Sequence, residues 1–190
     1  MIKFLNSGLL DRAITLNKKK AEYQKIIFLD VDGVMHDYSG NEIVQEERVQ
    51  RLKKIVDATG ASLVLSSSWR YGYPQFLEEN GLTELADADE SESLQYFESV
   101  LKKYGLEIIS FTPSSTLGEN GRPAEIRSFL LDKPNLKSFV ILDDDDFNWQ
   151  WLNAFLVQTR TIREGRTVLG LEDEHVAKAI AILNQFDENE

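Results

Sequence analysis

The sequence predicts a three-layer α/β domain with a parallel sheet at its centre, and three observations predict it. Short apolar runs alternate with longer segments of helical periodicity along most of the chain. The runs are apolar almost throughout, as strands covered on both faces are, rather than alternating as half-exposed strands do. The first two runs stand one helix apart, which is what a right-handed crossover between parallel strands requires. With 190 residues, 42% of them hydrophobic and 10% aromatic, the chain can bury a sizeable core, and its length suits one domain.

The elements follow in order. Residues 1–24 mix polar and apolar residues, pass through Asn17-Lys18-Lys19-Lys20 and read as an N-terminal arm or helix with solvated lysines, ahead of a single domain over 25–190. Ile26-Ile27-Phe28-Leu29 is the first strand, ending at Asp30-Val31-Asp32-Gly33-Val34. Gly33 to Asn41 is rich in turn formers and makes a short flap. Glu46 to Thr59 carries Val49, Leu52, Ile55 and Val56 at helical spacing, with Gly60 as its C-terminal cap. Ala61 to Leu65 is the second strand and runs into Ser66-Ser67-Ser68-Trp69-Arg70. Tyr73 to Asn80 is a short helix, Glu84 to Glu92 an exposed acidic stretch, and Leu94, Phe97, Val100, Leu101 and Tyr104 the apolar face of a helix stopped at Gly105. Glu107 to Phe111 is the third strand, followed by a loop over Thr112 to Gly121. Pro123 suits the first turn of the next helix, so Arg122 lies at its amino end. Phe139 to Leu142 is the fourth strand, leading into Asp143-Asp144-Asp145-Asp146, and Gln158 to Ile162 is a weaker fifth. Glu172 to Leu183 is a closing helix, and Asp187 to Glu190 a frayed end.

Parallel strands share one carboxyl edge, and in open α/β sheets that edge is where ligands bind. Asp30 and Asp32 reach it from the first strand, Ser66 and its neighbours from the second, Arg122 from a helix start, and Asp143 with Asp144 from the fourth strand. Carboxylates, hydroxyl and cation together suit phosphoryl transfer to an aspartate. A hard cation such as Mg²⁺ accepts two or three carboxylates and a phosphate oxygen as ligands, and offsets the repulsion between an attacking carboxylate and a phosphate dianion. Taken one at a time, the same residues have plainer readings: an Asp-Gly turn, a polar strand end, a surface arginine, and a solvated or Ca²⁺-binding acidic run. His36 and His175 read as loop and helix-start residues rather than ligands.

Asp30-Val31-Asp32-Gly33-Val34, Ser66, Arg122 and Asp143-Asp144 resemble, in order and spacing, the four motifs of the haloacid dehalogenase (HAD) superfamily of phosphotransferases. More narrowly, Leu65 to Arg70, Gly121 to Ile126 and Ile141 to Asp145 are similar to the HAD domains of Swiss-army-knife RNA repair proteins. The resemblance implies a Rossmann-like fold on a five-stranded parallel sheet, Asp30 as nucleophile through an aspartyl-phosphate, and Asp32 as general acid and base. It implies Ser66, with Ser67 and nearby amides, and Arg122 as phosphate-binding groups. Mg²⁺ would be held by Asp30, Asp143 and Asp144 together with Asp32, the last through its backbone carbonyl. The sequence departs from the common pattern at Val34, where threonine is frequent, and at Arg122, where lysine is usual.

Neither the first loop nor the stretch from Tyr71 to Phe111 is long enough for a full inserted cap, so the expected cap is minimal or absent and the site open. Trp69 and Arg70, with Tyr71 and Tyr73 behind them, are then expected to offer stacking and a phosphate contact to substrate. The expected substrate is a phosphomonoester, with nucleic-acid or nucleotide terminal phosphates as the first reading and small metabolites or phosphoproteins as the second. A catalytically idle HAD scaffold and a receiver-type signalling domain are the other classes considered. The receiver domain is disfavoured because the carboxylates here close the first and fourth strands. The absence of cysteine excludes disulfides and thiolate metal sites, the net charge of −11 opposes indiscriminate binding to nucleic acid or anionic membrane, and no apolar run spans a bilayer. A cytoplasmic protein is expected.

Overall fold

A computed structural model describes residues 24–38, 42–85, 90–114, 121–163 and 165–187. The main sheet holds five parallel strands: β1 (Lys25–Leu29), β2 (Ser62–Leu65), β3 (Ile108–Phe111), β4 (Ser138–Asp143) and β5 (Leu156–Gln158), in the spatial order β3-β2-β1-β4-β5. Ile26 to Leu29 pair with Ser62 to Leu65 on one side and with Phe139 to Leu142 on the other. The chain moves outward from β1 to β2 and β3, then returns across β1 to β4 and β5. The carboxyl ends of β1 and β4 therefore flank a topological switch point, where such sheets open a crevice.

The helices are α1 (Glu46–Thr59), α2 (Pro74–Asn80), α3 (Glu90–Lys103), α4 (Gly121–Leu131) and α5 (Asp173–Asn184). Alternation along the strands divides the core in two. Ile27, Leu29, Leu63, Leu65, Val140 and Leu142 pack with Val49, Leu52 and Ile55 of α1, Phe97 and Leu101 of α3, and Val176 and Leu183 of α5. Ile26, Phe28, Val64, Phe139 and Ile141 face the other way, onto Ile126 and Phe129 of α4 and onto Trp149 and Leu152. These are the two interfaces of a three-layer domain. Ile26 to Leu29 are wholly buried, and each contributes about 1.5–3 kcal/mol by its removal from water. That burial makes β1 a rigid support for the acidic residues that follow it.

The fifth strand falls earlier than the sequence suggests. β5 follows a 3₁₀ helix over Gln150–Phe155, whereas Thr161–Arg163 (β6) leaves the main sheet and pairs antiparallel with Arg166–Val168 (β7). The cause is the end of β4. Thr159 makes a last backbone bond to Asp143 O at 2.9 Å, and no ladder remains beyond it to extend. Two helix starts move by one residue: Tyr73 and Glu172 cap α2 and α5 instead of opening them. Only residues 30–45 separate β1 from α1. The stretch between β2 and β3 is taken up by 3₁₀ turns at Ser68–Gly72 and Thr83–Leu85, α2 and α3, so among the described residues neither holds an inserted domain. The expected arm over residues 1–24, apart from Gln24, lies outside the described residues, as do 86–89, 115–120 and 188–190.

Candidate active site

Asp30 is the first residue past β1 and is buried. Its backbone N–H donates to Leu142 O at 3.0 Å, continuing the ladder to β4, and its Oδ1 accepts from the Val31 N–H at 2.9 Å. The other oxygen, Oδ2, accepts from Arg122 Nη1 at 2.6 Å. The same nitrogen donates to Asp143 Oδ2, also at 2.6 Å, so one guanidinium at the start of α4 bridges the ends of β1 and β4. Burial pushes the Asp30 carboxyl up to about 6 against the opposing pull of Arg122. Burial likewise pushes Asp143 up to about 7, with Arg122 opposing and the Asp30 charge adding to the rise. Burial works against the Arg122 cation, but Asp30 and Asp143 together hold it above its ordinary range.

Asp144 follows at once, its carboxyl raised by burial and by Asp145 and lowered by Arg160, whose Nη2 donates to Asp144 Oδ2 at 3.1 Å. The Asp144 carboxylate lies over Gly33, which has φ +67, and a Cβ there would overlap the carboxylate. Gly33 is therefore required twice, for its backbone conformation and for the close approach. Asp145 is half-buried and Asp146 exposed, so the inward turn of the acidic run stops after its first two residues.

Asp30, Asp143 and Asp144 each bring a carboxylate oxygen within 4.8 Å of the other two. The donors are all oxygen and they are buried, with Arg122 shared between Asp30 and Asp143 and Arg160 on Asp144. This set fits a hard divalent cation such as Mg²⁺. The Asp32 side chain stands apart from it. Its Oδ1 lies 2.8 Å from His36 Nε2, and its Oδ2 accepts from Trp69 Nε1 at 3.1 Å. With a side-chain exposure of 36%, Asp32 faces the mouth of the site while both its oxygens are held.

The serines divide their duties. Ser66 is buried, and its hydroxyl accepts a long contact of 3.5 Å from Thr112 Oγ1. The Ser67 side chain helps to draw the Asp30 carboxyl down against burial, which makes Ser67 the serine that acts on Asp30. Trp69 does reach the site, but through its indole N–H on Asp32, while its ring packs edge-on against Phe97 at 5.7 Å. Arg70 is a correction to the expected substrate contact. It is only 4% exposed, donates to Ser67 O at 3.1 Å and to Glu125 Oε1 at 2.5 Å, and lies over the rings of Tyr71 and Phe76. It braces the loop after β2 against α4, because a buried guanidinium takes the nearest carboxylate and carbonyl.

Two residues of the site escaped the sequence reading. His36 was read only as a loop residue, yet it reaches Asp32 from four positions along. A helical turn sets it there, with Met35 N–H donating to Val31 O at 2.8 Å, and the Asp-to-His spacing was the available signal. Arg160 was hidden by the misplaced fifth strand. His175, in contrast, is the expected helix-start residue, closing a capping box with Glu172.

The strand order, and the gathering of Asp30, Asp32, the serines, Arg122 and Asp143-Asp144 at one edge of the sheet, define a domain of the HAD class. Residues 26–176 match the family described as the HAD domain in Swiss Army Knife RNA repair proteins, and the chain belongs to that family. No curated protein and no solved structure gives a significant match to the chain.

Proposed function

We propose that the chain is a Mg²⁺-dependent phosphomonoester hydrolase that works through an aspartyl-phosphate on Asp30, with nucleic-acid or nucleotide terminal phosphates as its substrates. The observation that carries the reading is the division of labour between two carboxylates two residues apart. Asp30 is buried beside Arg122 and Ser67, whereas Asp32 is held at the mouth by His36 and Trp69. In the first step an Asp30 oxygen attacks phosphorus, the O–P bond to the alcohol breaks, and Asp32 gives its proton to the departing oxygen. In the second step Asp32 takes a proton from water, whose oxygen attacks phosphorus as the Asp30–phosphorus bond breaks, releasing orthophosphate and restoring both carboxyls. Arg122 and the Ser67 hydroxyl orient the phosphoryl oxygens, with Ser66 behind them. Asp30, Asp143, Asp144 and the Asp32 carbonyl would hold Mg²⁺, which supplies charge neutralisation between nucleophile and phosphate.

The family's RNA-repair setting and the lack of an inserted cap among the described residues support a polymer end as substrate. The test is a comparison of kcat/KM for 3′- and 5′-phosphorylated oligonucleotides, mononucleotides, sugar phosphates and phosphopeptides in Mg²⁺, with Asp30→Asn alongside. The variant is expected to lose on the order of 10⁴-fold or more. Wild-type turnover by Asp30→Asn refutes the mechanism. A sugar phosphate far ahead of every oligonucleotide refutes the substrate class.

A further inference from the structure

An exposed aromatic ring stands beside the carboxylates, on the loop that follows β1. Tyr38 is 62% exposed and has φ 60, a left-handed conformation that is unfavourable for a bulky side chain. Its ring lies edge-on to His36, with the centroids 4.5 Å apart, and His36 Nε2 lies 2.8 Å from Asp32 Oδ1. Contacts therefore run without a break from the second carboxylate to the exposed ring. Partial burial pushes the Tyr38 phenol up to about 12, and the charges of Asp32, Asp144, Asp30 and Asp145 add to the rise. The phenol thus stands in the field of all four carboxylates and is uncharged at neutral pH. The residues before it are held firmly. The Gln45 N–H donates to Met35 O at 2.9 Å, and Asp37 accepts from Gln45 Nε2 at 3.0 Å and from Arg48 Nη2 at 2.9 Å. A strained backbone persists where its surroundings over-determine it, and such strain collects at ligand sites. Here the anchored residues 35–37 present a ring whose contact with another ring, among the described residues, is that with His36.

The aromatic residues that follow β2 are engaged elsewhere. The Trp69 ring packs on Phe97, Tyr71 on Phe76 at 5.2 Å and Tyr73 on Phe111 at 4.7 Å. Tyr38 is left as the ring open to a substrate beside Asp32, and the chemistry that matches the face of a ring is a second flat ring. A phosphomonoester can bring one in two ways, as a phenyl group bonded to the ester oxygen or as a base carried on a sugar. Asp32 is the residue that meets the departing oxygen, and Tyr38 is set off from Asp32 by the His36 imidazole. A base held away from the ester oxygen by its sugar matches that offset, whereas a phenyl ring stays beside Asp32.

We propose that Tyr38 is the platform for the nucleobase nearest the scissile phosphate, stacking on the base that the leaving sugar carries. The seating of that phosphate at Asp30 rests on the phosphatase reading; the stacking is measured without turnover. Calorimetry in Mg²⁺ gives the Kd of a hydrolysis-resistant phosphonate analogue of a mononucleotide, in 3′ and 5′ forms, and of the same sugar phosphonate without its base. The wild type is expected to bind one nucleotide form about tenfold more tightly than its base-free counterpart, within the range for a base stacked on an aromatic side chain. Tyr38→Asn removes the ring and leaves a residue that tolerates the left-handed backbone, and the ratio is expected to fall to near unity. Tyr38→Phe and Tyr38→Trp keep a ring and are expected to keep the ratio, which separates loss of stacking from loss of fold. A ratio near unity in the wild type overturns the proposal, and so does a ratio that Tyr38→Asn leaves intact. If the ratio depends on Tyr38 while no phosphomonoester is hydrolysed, the platform stands and the phosphatase reading falls. If an aryl phosphate is hydrolysed in an Asp30-dependent way while the base adds nothing to binding, the phosphatase reading stands and the platform falls.

Discussion

Replacing Asp143 by asparagine is expected to stabilise the metal-free protein at neutral pH and to leave it unchanged in acid. Asp143 is wholly buried, and its carboxyl is raised from 3.8 to about 7 by that burial, with Arg122 opposing and Asp30 adding to the rise. Between those two values the folded state binds more protons than the unfolded one, so stability is full below about pH 4 and is lost as pH rises towards and through 7. At about 1.4 kcal/mol per unit, the ionised carboxylate costs on the order of 4 kcal/mol. This is an upper limit, because Asp30 shares Arg122 and gains from it when Asp143 is neutral. Asparagine resembles the protonated acid, presenting an oxygen to the Arg122 N–H, and removes the Asp143 charge at every pH. In chelator, thermal melts from pH 4.5 to 8 should show the wild type falling more steeply than Asp143→Asn, whose remaining slope is that of the buried Asp30. A separation of up to about 8–16 °C is expected at pH 8, from about 2–4 °C per kcal/mol for a chain of this size. Saturating Mg²⁺ at about 100 times its dissociation constant should restore about 2.7 kcal/mol to the wild type and much less to the variant. Parallel melting curves across that range would show that Asp143 carries no uncompensated charge, and the argument for a cation at this cluster would go with it.

Two further outcomes bear on the residues around Asp30 and Asp32. Arg70→Ala should lose on the order of 3–5 kcal/mol of stability by breaking the buried Arg70–Glu125 ion pair, with KM for a small aryl phosphate unchanged at a temperature where the variant is folded. A stable variant with a raised KM would return Arg70 to the substrate. His36→Ala should slow hydrolysis of an alkyl phosphate on the order of tenfold more than that of an aryl phosphate with an acidic leaving phenol, since only the former needs a well-aimed proton from Asp32. Equal losses on both substrates would reduce His36 to a packing residue.

What the sequence disclosed and what it concealed divide by reach along the chain. β1, β2 and β4 were legible because each is a continuous apolar run, and Asp30, Ser66, Ser67 and Asp143 were legible because they abut those runs. A strand's end fixes the position of a short side chain one or two residues beyond it, so such residues can be assigned by adjacency alone. Arg70 misled for the complementary reason. It also follows a strand, but its partner Glu125 lies 55 positions away, and nothing near Arg70 in the chain announces an acid on α4. β5 was misplaced because Gln158 to Ile162 has the composition of a strand along its whole length, while its pairing depends on where β4 ends. That single error hid both Arg160 and the β6–β7 hairpin.

The residues found and missed also sort by charge, and the reason is geometric. A carboxylate has a short stem and must be carried by the backbone that borders the site, so the anions collect at strand ends where a reader of sequence looks for them. A guanidinium or imidazole reaches across several ångströms and can be supplied by a turn, a helix start or a hairpin root, as His36, Arg122 and Arg160 are. Asp32, the Asp30–Asp143 pair and Asp144 thus each meet a basic side chain from a different segment, of which only Arg122 was visible in advance, through its place before Pro123. The net charge of −11 consequently says little about the potential that a phosphate meets at this edge of the sheet. That potential is set by where a few long side chains come to rest, and here His36, Arg122 and Arg160 come to rest around the carboxylates.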